Sequence, residues 1–251
     1  ELQTMESFAN RMCLSRSTLS RLVASAREEG LVRITLHAPQ EPAATTASRL
    51  SSMYGVSVTI VPVSQPTSEL RRLERVASMA GAMISDLVTD GATIGVAWGT
   101  TLSAVSERLV PKHVDRSIVV QLNGAANPGT TGIPFVGELL GNFSRAFGAK
   151  VMAFPVPAFF DYATTRAALW RERSIAAVRE AGRNADIAIF GVGAFGAPLA
   201  SHVYASGYLA NDDVMRLRRE GVVGDVCTVL VRSDGSYSDI EINSRASGPT
   251  P

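Results

Sequence analysis

Residues 15–30 read Ser15-Arg16-Ser17-Thr18-Leu19-Ser20-Arg21-Leu22-Val23-Ala24-Ser25-Ala26-Arg27-Glu28-Glu29-Gly30. Wound as a helix, this stretch sets Leu19, Leu22, Val23 and Ala26 at the three- and four-residue spacing that buries one stripe. Arg16, Ser17, Ser20, Arg21 and Ala24 fall on the opposite stripe, which carries small residues and hydroxyls flanked by guanidiniums and no acid. A merely solvated helix would mix Glu with Lys there. Small side chains let a helix sink into a major groove, hydroxyls bond phosphates or base edges, and Arg reads guanine or phosphate. The rival reading, a surface helix of a generic α/β protein, leaves the acid-free face unexplained.

The preceding residues extend the pattern. Phe8, Ala9 and Met12 make an apolar stripe on a short helix over roughly residues 4–12, Cys13-Leu14-Ser15 makes a three-residue turn, and Ser15 is placed to cap the second helix. Two short helices joined this way are the helix-turn-helix pattern, the second being the recognition helix. The predicted DNA-contacting set is Ser15, Arg16, Ser17, Thr18, Ser20 and Arg21. Arg11, Arg16, Arg21 and Arg27 give this region a local charge of +4 with no acid between them, although the whole chain carries only +1. Nucleic-acid binding would therefore come from a patch rather than from bulk charge.

Leu31–Leu36 alternates apolar and polar residues as a short strand would, and the Pro39- and Pro42-bearing stretch 38–46 reads as a linker. Residues 1–37 are thus expected as a small, partial helix-turn-helix domain and 47–251 as a large α/β domain. In the latter, apolar runs at Val56–Val61, Thr93–Trp98, Ser117–Leu122, Val151–Phe154, Asp186–Gly191 and Val226–Val231 read as strands. Helices are expected at Glu69–Leu87, with Leu70, Leu73, Val76, Ala77, Ala80, Met83, Ile84 and Leu87 on one face, and near Thr101–Leu109, Pro134–Phe147, Tyr162–Ala181 and Asp212–Glu220. Apolar strands alternating with helices predict a Rossmann-like parallel sheet covered on both faces.

With 251 residues, the chain is long enough for one large domain and a small one. It shows neither a bilayer-spanning apolar run nor a basic-then-apolar export signal, and its two cysteines, Cys13 and Cys227, lie far apart. Those features predict a cytoplasmic protein in a reducing compartment without disulfides. His37, His113 and His202 are scattered, so no metal or other cofactor is expected.

In a parallel sheet, small molecules bind beyond the carboxyl ends of strands. The leading candidate is Gly95-Val96-Ala97-Trp98-Gly99-Thr100-Thr101-Leu102: a strand, a Gly turn, and two Thr opening a helix, an anion cradle suited to phosphate. The plainer alternative is that a Thr only caps the helix. Gln121-Leu122-Asn123-Gly124 ends another strand, and its amides could bond sugar hydroxyls, although Asn-Gly is also simple turn chemistry. Gly224-Asp225, placed just before a strand, offers a carboxylate for vicinal hydroxyls or an ordinary turn. Gly191-Val192-Gly193-Ala194-Phe195-Gly196 matches the dinucleotide fingerprint in letters. Pro198 and Gly207 interrupt the region after it, however, and no acid stands at a second strand end, so nicotinamide binding is rejected.

Leu14–Leu22, Ala26–Ile34, Gly95–Leu102, Val119–Gly124, Gly191-Val192-Gly193 and Gly221-Val222-Val223-Gly224-Asp225 together resemble the SorC group of sugar-binding transcriptional regulators, in family order along essentially the whole chain. The resemblance implies a DNA-binding helix-turn-helix joined to an effector domain similar to sugar-phosphate isomerases. It implies operator DNA and a phosphorylated sugar as partners, and assembly as a dimer or tetramer. By the same resemblance Gly99, Thr100 and Thr101 would hold the phosphate, Gln121, Asn123 and Gly124 would line the sugar, and Asp225 would bind its hydroxyls. Against the family pattern the first helix is cut short and a final strand-helix portion with an effector-contacting Lys is missing. Lys112 and Lys150 are the only lysines and neither stands in that context. The expected function is an effector-controlled, non-enzymatic regulator. The alternative is a sugar-phosphate isomerase with a helical assembly domain, for which no base-plus-acid set can be assembled from spacing.

Overall fold

The computed structural model describes residues 5–28, 43–63, 66–197, 201–205 and 207–250. The chain divides into two compact units, Glu1–Ile60 and Val61–Pro251.

In the first unit, helix α1 (Met5–Arg11) turns into α2 (Arg16–Glu28) through residues 12–15. Cys13 adopts φ 53° in that turn, and the amide of Leu14 donates back to the carbonyl of Ala9 at 3.0 Å. Ser15 caps α2, its Oγ accepting from the amide of Thr18 at 3.1 Å. Ala9 and Leu19 are buried between the helices, but Leu22, expected on the same stripe, is 53% exposed. The seven-residue α1 offers two turns of cover, which reach Leu19 and not the next turn of α2. Helix α3 (Ala43–Tyr54) begins inside the stretch expected as linker and belongs to the first unit. The predicted strand Leu31–Leu36 and the linker up to Pro42 lie outside the described residues.

The second unit begins with α4 (Glu69–Leu87), capped by Ser68, whose side chain accepts from the amide of Arg71. Then follow β1 (Thr93–Val96), α5 (Thr100–Ser106), β2 (Ile118–Gln121), α6 (Ile133–Phe147), β3 (Lys150–Met152), α7 (Ala163–Leu169), α8 (Arg173–Arg183) and β4 (Ile187–Ile189). The four strands form one parallel sheet in the order β3-β2-β1-β4. Its two faces are covered separately, as the alternation along a strand requires. Val119 packs with α4, α5 and α6 residues such as Ala77, Leu102 and Phe143, whereas its neighbour Val120 packs with Ile175 and Val178 of α8. Both valines are fully buried.

A second sheet, absent from the sequence-based expectation, completes the unit. It comprises β5 (Val192–Ala194), then after α9 (His202–Ala205) and α10 (Asn211–Arg219), β6 (Val222–Val226) and β7 (Val229–Arg232), all antiparallel in the order β5-β6-β7. The expected single strand Val226–Val231 is therefore a hairpin. Cys227 and Thr228 turn it with φ of 50° and 67°, the mirror-image turn that matches strand twist. The chain ends past a 3-10 turn at Glu241–Arg245.

Three other expectations are corrected. Val56–Val61 forms no strand. The predicted helix Tyr162–Ala181 breaks into α7 and α8 where Trp170 turns inward against Phe154 and Phe160, with ring centroids at 5.7 and 5.4 Å. On α4, Ala77 and Ile84 are buried together with Gly81 and Ser85, while Leu70, Val76, Met83 and Leu87 are exposed. The contact runs along the small residues because the segment that follows α5 packs closely: a Cβ at Gly81 would lie 2.4 Å from the Arg108 carbonyl oxygen. Among the described residues, no helix is long and apolar enough to cross a membrane.

Candidate functional site

The parallel sheet reverses its winding between β1 and β4, since β1 leads to β2 and β3 on one side and the chain then crosses back to β4 on the other. Such a switch leaves a crevice at the carboxyl ends of the strands. A cavity of about 260 Å³ opens there, lined by the loop after β1, the loop after β4, and β6 with its turn.

The β1 loop is held from below by Trp98. Its indole Nε1 donates to the carbonyl of Gly124 at 2.6 Å, and its ring stacks on Tyr208 at 4.9 Å. Tyr208 in turn donates to the carbonyl of Ala125 at 3.0 Å. Gly99 caps α5 without a side chain, and Thr100 and Thr101 follow at the cavity wall. Among the described residues no hydrogen bond engages either threonine hydroxyl, so neither serves as the helix cap that was the plainer alternative.

Asp225 stands across the cavity. It lies within β6, not in a turn before a strand as its Gly-Asp context suggested. It pairs with Gly193 of β5, and a Cβ there would lie 2.2 Å from its Oδ1. Gly193 thus makes room for the carboxylate; a strand, not a dinucleotide-binding helix, contains that glycine. Asp225 is 5% exposed; its Oδ1 accepts from the Tyr204 hydroxyl at 2.9 Å and its Oδ2 from the Thr228 amide at 3.2 Å. Burial pushes its carboxyl above the usual carboxylate range, while these two bonds pull it back. Burial and the adjacent Asp225 raise the Tyr204 hydroxyl, and raise the Cys227 thiol to about 12. A carboxylate so placed is a hydrogen-bond acceptor, and a neutral Tyr204 is its fixed donor.

Of the seven residues expected at the effector, Gly99, Thr100, Thr101, Asn123 and Asp225 line this cavity. Gln121 and Gly124 do not, and both are occupied elsewhere. The Gln121 amide donates to the carbonyl of Asn123 at 2.7 Å and accepts from the amide of Phe154 at 2.8 Å, tying the end of β2 to the chain beyond β3. Gly124 donates to Ser247 Oγ at 2.9 Å, and a Cβ on it would lie 2.3 Å from the Val156 carbonyl oxygen. Cys227, Thr228 and Ser201 also line the cavity; the sequence flagged none of them. The one signal in the sequence was a pair of glycines, Gly193 and Gly224, far apart in the chain and marking two strands in close approach.

On the first unit, Arg16, Ser20 and Arg21 are exposed, and among the described residues neither guanidinium meets a carboxylate. Ser15, Ser17 and Thr18 form a hydroxyl cluster at the start of α2, with Ser15 Oγ 2.9 Å from Ser17 Oγ and 2.8 Å from Thr18 Oγ1.

Comparison with known proteins bears on both units. The sugar-binding domain family matches residues 39–250. The deoxyribonucleoside regulator of Bacillus subtilis is 30% identical over 246 residues, covering 98% of this chain and 77% of that protein. A crystal structure of a domain of a possible sugar-binding transcriptional regulator from Arthrobacter aurescens TC1 is 47% identical, covers 85% of this chain and 82% of that one, and superposes with a TM-score of 0.78. The full-length sorbitol operon regulator SorC of Klebsiella pneumoniae shares the fold at 19% identity, with a TM-score of 0.71 over 98% of this chain and 78% of that one. By sequence and fold together, the chain belongs to the sugar-binding domain family of transcriptional regulators.

Proposed function

We propose that this chain senses a phosphorylated sugar and, through α1 and α2 acting as a helix-turn-helix, binds operator DNA under its control. The observation that carries the reading is the pairing of Gly99 and the unengaged hydroxyls of Thr100 and Thr101 with the buried Asp225 across one cavity at the sheet's winding switch. The phosphate belongs at the threonine side, where free backbone donors and hydroxyls suit an anion. The sugar hydroxyls belong at Asp225, whose carboxylate still has acceptor capacity beyond its two donors. The names of the relatives favour this assignment, since they are regulators of deoxyribonucleoside and sorbitol genes.

Catalysis is not part of the proposal. Among the described residues, neither His nor Lys lines the cavity, so an isomerase would lack a Schiff-base amine or an imidazole base there. The protein acts in the cytoplasm as a homo-oligomer, and the effector shifts its DNA-competent arrangement by the difference between its affinities for the two arrangements.

A thermal-shift screen with pentose and hexose phosphates tests the effector half. A phosphorylated sugar should raise the melting temperature, its unphosphorylated form should not, and the paired substitution Thr100→Val/Thr101→Val should abolish the shift. Retention of the shift in that variant would refute the phosphate assignment.

A further inference from the structure

On the α8 face of the parallel sheet lies a second cavity, of about 170 Å³, that shares no lining residue with the first. Arg166 of α7 and Arg179 and Arg183 of α8 line it together with Trp170. Two of the guanidiniums sit on one indole, with the Cζ of Arg166 at 5.1 Å and that of Arg179 at 4.8 Å from the Trp170 ring. Among the described residues none of the three cations forms an ion pair. Arg166 gives one bond to the carbonyl of Ser244 at 3.2 Å, and its Nε is buried with no partner.

Ordinary structural roles account for parts of this arrangement. The indole face attracts a guanidinium, and a cation in the last turn of a helix favours the macrodipole. They do not account for the trio. Arg179 and Arg183 are four apart on one helix, a like-charge spacing that destabilises it. Burial, then the charges of Arg183 and Arg166, lower the Arg179 pKa, so the fold tolerates a repulsion that no nearby acid relieves. The guanidinium fork pairs bidentately with phosphate, and several forks around one enclosed space suit a dianion better than a single carboxylate.

We propose that Arg166, Arg179 and Arg183 form a second anion site, separate from the effector cavity, that takes the phosphate of a small molecule or free phosphate. The site also touches the first one indirectly. Gln121 lines the second cavity, and its side chain holds the backbone of Asn123, which lines the effector cavity. Occupancy at the arginines therefore bears on the loop that meets the effector.

The test is isothermal titration of the 251-residue chain in chloride buffer with two probes, inorganic phosphate and ribose 5-phosphate. Arg183→Gln is fold-safe because the side chain is exposed, and Arg179→Gln extends the series. Each substitution should weaken phosphate binding roughly tenfold or more, the size expected for a charge-assisted bond. The titrations are repeated in the Thr100→Val/Thr101→Val background, which removes the phosphate seat of the effector cavity; phosphate binding that depends on Arg179 and Arg183 should persist there, which separates this site from the effector reading. Tighter binding of ribose 5-phosphate than of phosphate in the combined Thr100→Val/Thr101→Val/Asp225→Asn background would assign the site to a phosphorylated metabolite, and equal binding would assign it to free phosphate. Undiminished phosphate binding in folded Arg183→Gln and Arg179→Gln proteins would overturn the proposal. So would equal competition by acetate, which would mark the arginines as the seat of a protein carboxylate.

Discussion

Gly193 and Asp225 face each other across the β5–β6 ladder so closely that a methyl group on the former would meet a carboxylate oxygen of the latter at 2.2 Å. The carboxylate cannot swing freely aside, because Tyr204 and the Thr228 amide hold its two oxygens. Gly193→Ala should therefore cost about 1–3 kcal/mol of stability, as overpacking does. It should also weaken binding of the stabilising sugar phosphate. Chemical denaturation and ligand titration of the variant check both; an unchanged ligand affinity would show that Asp225 is not at the effector.

Asp225 has an acid-base signature. Its folded pKa lies above the unfolded one because burial dominates. In that case the folded state binds more protons between the two values, so the contribution of this group to stability is fullest below the unfolded pKa and declines as pH rises through the folded pKa. Effector binding should run the other way if the carboxylate accepts hydroxyl donors. Comparing the wild type with Asp225→Asn from pH 4 to pH 8 should show the wild-type stability excess shrinking with pH. Identical pH profiles for the two proteins would contradict this.

Tyr204 supplies the fixed donor. Tyr204→Phe leaves one oxygen of a buried carboxylate without its partner and should cost about 1–3 kcal/mol. The same change should push the Asp225 pKa higher still, moving the pH dependence of stability upward, which a purely steric loss would not do.

Gly124 separates structural from ligand roles at the end of β2. A Cβ on it would meet backbone oxygens of Val156 and Pro157 at 2.3 and 2.4 Å, and backbone gives way less readily than a side-chain tip. Gly124→Ala should lower the unfolding midpoint markedly, whereas Asn123→Ala, altering a residue that lines the cavity, should reduce effector affinity.

Arg16 and Arg21 are exposed, so the double substitution to Ala should leave the melting temperature within a degree or two. If they meet DNA phosphates, affinity for a mixed-sequence duplex should fall, and the slope of log K against log salt should shallow by about 0.9 per lost contact. An unaltered slope would remove α2 from the DNA face.

Much of the architecture was legible because it depends on local periodicity. The apolar periodicity from Leu70 to Leu87 delimits α4 at Glu69–Leu87, although Leu70, Val76, Met83 and Leu87 of the expected face are exposed, and the apolar runs place β1 to β4 within one or two residues of where they lie. The break at Trp170 was not legible. It depends on Phe154 and Phe160, sixteen and ten residues away, drawing an aromatic ring inward. The β6–β7 hairpin hid for a similar reason: Cys227 and Thr228 are not turn-forming residues by type and take positive φ under the demands of the strands they join.

The amino-acid order alone settled the alternation of strands and helices, the acid-free face of α2 and the threonine pair after β1, since each is written in neighbouring residues. Which of the candidate residues share a cavity was decided only in three dimensions. Asp225 shares a cavity with Thr100 because the antiparallel sheet β5-β6-β7 lays it against the carboxyl end of the parallel one. Gln121 and Gly124, equally plausible by spacing, are instead consumed by hydrogen bonds and close packing with Phe154, Ser247 and Val156. A side chain's partners are set by chain segments far along the sequence, and no local pattern encodes them.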